Sequence, residues 1–137
     1  MATAQDAQFD IRRFVLALVV DLASDKNFKP SFRAAHKKLH GFFWQLKKDE
    51  HVRPFVSELL FDTNGNYPMS ETLDELLHEF QLSGVLCRPN PAYKFNDVSV
   101  NKSALADEFK RALTSDLKRS YEEVSKRFRE DLGVRES

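Results

Sequence analysis

Glu58-Leu-Leu-Phe-Asp-Thr-Asn-Gly-Asn-Tyr-Pro-Met-Ser70 leads into Glu71-Thr-Leu-Asp-Glu-Leu-Leu-His-Glu-Phe-Gln-Leu-Ser-Gly84, which is followed by Val85-Leu-Cys-Arg-Pro-Asn-Pro-Ala-Tyr-Lys-Phe95. Asn64-Gly65-Asn66 is turn chemistry, because Asn and Gly tolerate positive φ. Pro68 fixes the backbone just upstream of a helix, and Ser70 is placed to cap it. Glu71 and Asp74 add negative charge to the first turn, where the helix dipole favours it. Leu73, Leu76, Leu77 and Phe80 fall at i, i+3, i+4 and i+7 and so share one face. Gly84 stands just past the last of them, as an αL stop would. Val85 to Arg88 and Tyr93 to Phe95 are β-prone runs around Pro89-Asn90-Pro91, which predicts a hairpin. Turn, helix, stop and hairpin in this order predict the second half of a winged-helix-like domain.

Outward from this stretch the chain is mostly helical. Ile11, Phe14, Val15, Leu18, Val19 and Leu22 predict a helix over roughly 8–25, and Leu16 and Val20 imply burial on more than one side. A connection is expected at Asp25-Lys26-Asn27 and Lys29-Pro30. A second helix is expected over roughly 31–48, its core face formed by Phe32, Ala35, Leu39, Phe42, Phe43 and Leu46. Its opposite face reads Arg33, His36, Lys37, His40, Trp44, Lys47 and Lys48. Leu105, Phe109, Leu113, Leu117, Tyr121, Val124, Phe128 and Leu132 recur at spacings of four, once three, and predict one long C-terminal helix over roughly 103–132. The fold class is therefore mainly α (α+β): one domain over 1–137, with a winged-helix-like core at 8–100, a small β-hairpin and the long helix.

Composition narrows the class. A length of 137 residues suits one domain with a real core, and 42% hydrophobic with 31% charged residues is globular. Twelve phenylalanines point to an aromatic core. The lone cysteine, Cys87, excludes an intrachain disulfide and suits a reducing compartment, so a cytoplasmic location is expected. No basic-then-apolar leader pattern opens the chain. The longest apolar run, Phe14 to Val20, falls far short of the ~20 residues of a membrane span.

Net charge is zero, but its distribution is uneven. Residues 58–84 carry six acids and no Lys or Arg, whereas residues 1–57 carry ten basic residues against six acids. A nucleic-acid-binding winged helix presents the helix before its hairpin to the groove, and affinity rests on neutralising phosphates. Glu71, Asp74, Glu75 and Glu79 on that helix oppose such docking, although Arg88 and Lys94 on the hairpin are compatible with a phosphate contact.

Phe61-Asp-Thr-Asn-Gly-Asn-Tyr-Pro-Met-Ser70, the Leu73…Leu76-Leu77…Phe80 row, Gly84-Val85-Leu86 and the earlier Lys38-Leu39-His40-Gly41-Phe42-Phe43 together resemble bacterial Panacea-type antitoxin domains. In those, a turn of the Gly-Pro-(aromatic or Val)-Ser kind leads into a helix that packs beside one bearing a Lys-Leu…aromatic pattern. Here the turn reads Gly65-Asn66-Tyr67-Pro68-Met69-Ser70, with insertions and a different order, and the likeness covers about half the chain. The resemblance implies a winged-helix-like fold and a role in binding a partner protein.

Candidate sites follow from residue type and placement. Trp44 among Arg33, Lys37, His40, Lys47 and Lys48 predicts a partner-binding face through burial and cation–π contacts; the alternative is a Trp packed under a helix with Lys stems over it. Asp74 and Glu75 predict an acidic patch for a basic partner, the alternative being a match to the basic second helix. His36 and His40 have the i, i+4 spacing of zinc ligands, but Lys37 and Lys38 beside them favour a polar helix face, so no metal is expected. Asp62-Thr-Asn64-Gly65-Asn66 has its Gly fourth rather than sixth and Leu73 where a calcium loop needs Glu, which leaves a structural turn. No nucleophile elbow, glycine-rich phosphate loop or cofactor motif is present. The expectation is a non-enzymatic interaction or regulatory module without cofactor, binding another protein, with a nucleic-acid-binding regulator as the alternative. A homodimer through an uncovered end of the last helix is expected if the core cannot cover its apolar row.

Overall fold

The structure, a computed structural model, describes residues 10–32, 36–82, 86–87, 94–95 and 100–135. It is mainly helical with a small antiparallel sheet. In chain order come α1 (Ile11–Ser24), β1 (Phe28–Phe32), α2 (His36–Lys47), α3 (Glu71–Leu82), β2 (Leu86–Cys87), β3 (Lys94–Phe95), α4 (Val100–Arg111), α5 (Ser115–Leu132) and β4 (Gly133–Arg135), with a 3₁₀ turn at Arg53–Val56.

The central element is α1. Nine of its fourteen residues are buried, from Ile11 through Leu22, because α4 and α5 pack on it as well as the sheet and the 3₁₀ turn. The burial on several sides follows from apolar residues running off the main face. Its N-terminus is capped twice. The Asp10 carboxylate accepts from the Arg12 N–H, and Glu58, from a loop 47 residues away, accepts from the Ile11 N–H at 3.0 Å. Phe14 is the centre of the core. Its ring stacks on Phe55 with centroids 4.9 Å apart and meets Phe43, Phe109 and Tyr121 at 6.1–6.3 Å. Such stacked and edge-on pairs add to the area each ring buries. Phe42, Phe43 and Phe128 continue the cluster between α2 and α5.

The sheet has the order β2-β3-β1-β4. The hairpin pairs Leu86 with Phe95 and Cys87 with Lys94, and β1 joins it through Ser31 and Lys94. Pro89-Asn90-Pro91 and Gly84 lie outside the described residues. The segment expected to be a mere connection, Lys29-Pro30, is a strand, and α2 consequently starts at His36 rather than near 31. A proline is tolerated in β1 at the bulge between Lys29 and Phe32. The apolar spacing of Phe32 with Leu39 had suggested a longer helix, but pairing with β3 and β4 claims Phe32 for the sheet.

The C-terminal segment is two helices. Helix α4 ends at Arg111, and α5 begins after Thr114, whose backbone is extended and whose hydroxyl accepts from the Leu117 N–H. The row of apolar residues at spacings of four crosses the break unchanged, because Leu113 and Leu117 flank the cap; periodicity alone is blind to it. The break lets α4 and α5 both lie against α1. Phe109, Leu113, Tyr121, Val124, Phe128 and Leu132 are all buried and Leu105 and Leu117 partly so. The apolar row expected to leave an uncovered stripe for a second copy is thus covered within one chain. Among the described residues no helix is long and apolar enough to cross a membrane.

Candidate functional site

Residues 62–70 are shaped as the sequence implies. Asp62 and Met69 exchange both backbone hydrogen bonds, and the Asp62 carboxylate accepts from the Asn64 N–H, which closes the turn on itself. Ser70 caps α3: its hydroxyl accepts from the Leu73 N–H at 3.2 Å, and its carbonyl from the Asp74 N–H. Leu73, Leu76, Leu77 and Phe80 are buried, which turns Glu71, Glu75, His78 and Glu79 to solvent, with Leu82 exposed at the end of the helix. The outer face of α3 is acidic over three turns.

One of these acids has an internal partner. Glu79 holds the Arg12 guanidinium through two hydrogen bonds of 3.1 Å. Both side chains are about half exposed, so the pair stabilises only weakly; the carboxylate raises the guanidinium above its ordinary range, and the arginine stays charged. The intramolecular match of Glu79 is therefore with α1, while Asp74, on the inner edge of the helix, meets the second helix at His40 as the alternative reading has it. Glu71 and Glu75 remain on the open surface.

The expected basic face of α2 is divided by the fold. Lys37 and Lys48 are exposed, as is Lys38. Trp44 is half-buried, with the Lys48 ammonium 3.5 Å from its ring centroid, the arrangement in which a lysine covers the ring. Lys47 turns inward and donates to the Leu59 carbonyl, which ties α2 to the loop after the 3₁₀ turn. His40 is fully buried, contrary to the exposed position expected of it. At 100° per residue it lies 60° from Phe43, on the edge of the apolar arc, and the N-terminus of α3 closes over that edge. The His40 ring accepts from the Ser70 N–H at 3.0 Å through Nδ1, and its Nε2 lies 3.8 Å from the Asp74 carboxylate. Asp74 is accordingly half-buried against α2, and of the two predicted acids Glu75 alone faces solvent fully. Arg33 and Arg88 lie outside the described residues. Lys94 is placed by its backbone in β3, between Ser31 and Cys87. The fold therefore brings His40 and Asp74 together, and leaves Lys37, Lys48 and Glu75 as separate surface charges.

No family model, curated protein or solved structure matches the chain. The site is therefore read from its own chemistry.

Two further features escaped the sequence. Asp21, near the C-terminus of α1, collects the Lys110 ammonium at 2.8 Å, the Tyr121 hydroxyl at 2.6 Å and the Ser125 hydroxyl at 3.2 Å. One turn on, Asp25 pairs with Arg129 at 2.8 Å, and Arg129 also donates to Ser125. Asp21 on α1 and Asp25 at its C-cap thus face Tyr121, Ser125 and Arg129 on α5, each set spaced i, i+4. Burial, reinforced by the Asp21 carboxylate, pushes the Tyr121 phenol far above its usual range. The i, i+4 spacing of Asp21 and Asp25 was visible in the sequence, but their partners lie 89 to 104 residues away. The second feature is a cleft of about 530 Å³ between the 3₁₀ region and α5, lined by Asp49, His51, Asp116, Arg119, Glu123 and Arg127 among others. Its acids and bases alternate, which gives it no net preference for an anion or a cation. Among the described residues no group of three or more His, Cys, Asp or Glu side chains is placed to hold a metal ion.

Proposed function

We propose that the chain is a small winged-helix-like interaction module that binds a partner protein through the outer face of α3, without catalysing a reaction. The order α1-β1-α2-α3-β2-β3, with strands in the order β2-β3-β1, supports the winged-helix reading. The observation that carries the function is the exposure of Glu71, Glu75 and Glu79 on the helix that precedes the hairpin. Carboxylates there repel phosphates and attract a basic protein surface, whose encounter they would accelerate. Leu82 supplies an apolar contact at the end of the same helix. The resemblance to Panacea-type antitoxin domains extends the proposal to a regulatory, antitoxin-like role in a cytoplasmic setting.

Affinity capture with the intact chain and with a Glu71→Lys, Glu75→Lys variant tests this. A bound protein that is lost on charge reversal, with folding unchanged by circular dichroism, is the expected outcome. The exposed Lys37, Lys38 and Lys48 favour a second reading, a nucleic-acid-binding regulator acting through α2 and the hairpin. Duplex binding that falls steeply with salt and is strengthened by the same charge reversal would replace the first reading with the second.

A further inference from the structure

The hydrogen bond between Ser70 and His40 fixes the protonation state of a buried ring. Ser70 is the N-cap of α3 and is itself fully buried. Its N–H donates to Nδ1 of His40, so Nδ1 carries no hydrogen and the ring is the neutral tautomer with its proton on Nε2. We propose that His40 is a proton-operated latch on α3, neutral when the N-terminus of the helix is docked on α2 and cationic when it is released.

A proton added to Nδ1 would point at the Ser70 N–H, donor against donor, in a site closed to water. The Ser70–His40 hydrogen bond is then lost, and a buried charge takes its place. The groups that face the ring set the outcome. Asp74, from α3, lies 3.8 Å from Nε2, beyond hydrogen-bond reach, and 43% of its side chain is exposed, so solvent weakens its hold on a cation. Tyr67, from the loop before α3, lies with its ring centroid 6.4 Å away. On α2 itself, Lys37 is exposed and Lys47 is engaged with the Leu59 carbonyl; neither is a counter-ion for the ring. Glu71, in the first turn of α3, is exposed. A cationic ring therefore cannot keep the Ser70 N–H as its donor, and the residue that caps α3 loses its contact with α2. Histidine is the side chain whose ordinary titration lies nearest neutral pH, so acidification is the trigger for a latch of this kind.

The latch rests on the interaction reading only for its consequence, since α3 carries the proposed binding face. Amide exchange followed by nuclear magnetic resonance at pH between about 5 and about 8 tests it without any partner. Protection at Leu73 and Asp74, corrected for intrinsic rates, should fall by at least roughly tenfold toward the acid end while protection in the middle of α1 holds. The ring nitrogen shifts of His40 should report a bare Nδ1 at the neutral end and its protonation in step with the loss. The His40→Asn variant, whose amide oxygen can still accept from Ser70, should lose the pH dependence. Unchanged α3 protection while the ring protonates, or α3 loosening while the ring stays neutral, overturns the latch, and the ring shifts decide this in the unmodified chain even where the variant folds poorly. A working latch in a chain whose charge-reversed α3 binds as before would leave the switch standing and remove the interaction reading.

Discussion

Asp21 and Glu75 are both carboxylates on amphipathic helices, and the fold treats them oppositely. Around Asp21, side chains from α4 and α5 converge until its two oxygens are shared by an ammonium and two hydroxyls. On α3 the packed face is confined to Leu73, Leu76, Leu77 and Phe80, and Glu71 and Glu75 are left on the surface. The first arrangement costs desolvation and returns fixed geometry between three helices. The second contributes little to stability and leaves charge available for a partner. Substitution should therefore be expensive around Asp21 and nearly free at Glu71 and Glu75.

The largest effect should come from the aromatic centre that packs on Tyr121, the residue that with Lys110 and Ser125 forms a clamp on Asp21. Phe14 is fully buried against four other rings. Phe14→Ala should cost about 3–5 kcal/mol, read as a lowered denaturant midpoint; a loss near that of a surface substitution would remove α1 from the centre of the fold. Asp21→Ala should follow at about 2–4 kcal/mol, because it strands the Lys110 ammonium and the Tyr121 hydroxyl in a partly buried site. Asp21→Asn should cost less, since the amide oxygen still accepts, and equal losses from the two substitutions would argue that packing rather than charge holds the clamp.

Next comes Gly133, where α5 turns into β4. A Cβ there would lie 2.6 Å from the Arg129 carbonyl oxygen and 2.8 Å from Leu22 Cδ1. Gly133→Ala should destabilise by about 1–3 kcal/mol through overpacking against backbone that cannot yield, with thermal melting as the readout. Its φ of −79° is ordinary, so the cost is steric and not torsional. On the acidic face, Arg12→Ala should change stability by less than about 1 kcal/mol and be masked by salt. A larger loss would move Glu79 from the surface class into the clamp's class.

The clamp also predicts an alkaline limit. Tyr121 has a folded-state value raised far above normal, whereas in the unfolded chain a phenol ionises near pH ~10. The stabilisation from keeping it neutral is therefore complete below about pH 10 and is lost progressively above it, as the unfolded state releases a proton the native state retains. Tyr121→Phe should lower stability at neutral pH but flatten its decline above pH ~10, measured by denaturant titration at several alkaline values.

The helix over 71–82, its Ser70 cap, the preceding turn and the two strands of the hairpin were legible because each depends on residues a few positions apart. Turn chemistry, capping and i, i+4 periodicity are local. The acidity of the outer α3 face was legible for the same reason: once four residues are assigned to the core, the remainder must face out. What failed depended on contacts between distant segments. His40 sat among lysines on a helical wheel, yet the N-terminus of α3, thirty residues on, buries it. Lys29-Pro30 read as a connection because a strand of five residues gains its hydrogen bonds from β3 and β4, both in the second half of the chain. Thr114 was hidden by an apolar row that stays in phase across its cap. The chain by itself thus determined a mainly helical domain with a Phe-rich core and an acidic helix ahead of a hairpin. Only the tertiary structure decided which charges are buried together, because the cost of removing a charge from water depends on neighbours that sequence separation does not reveal.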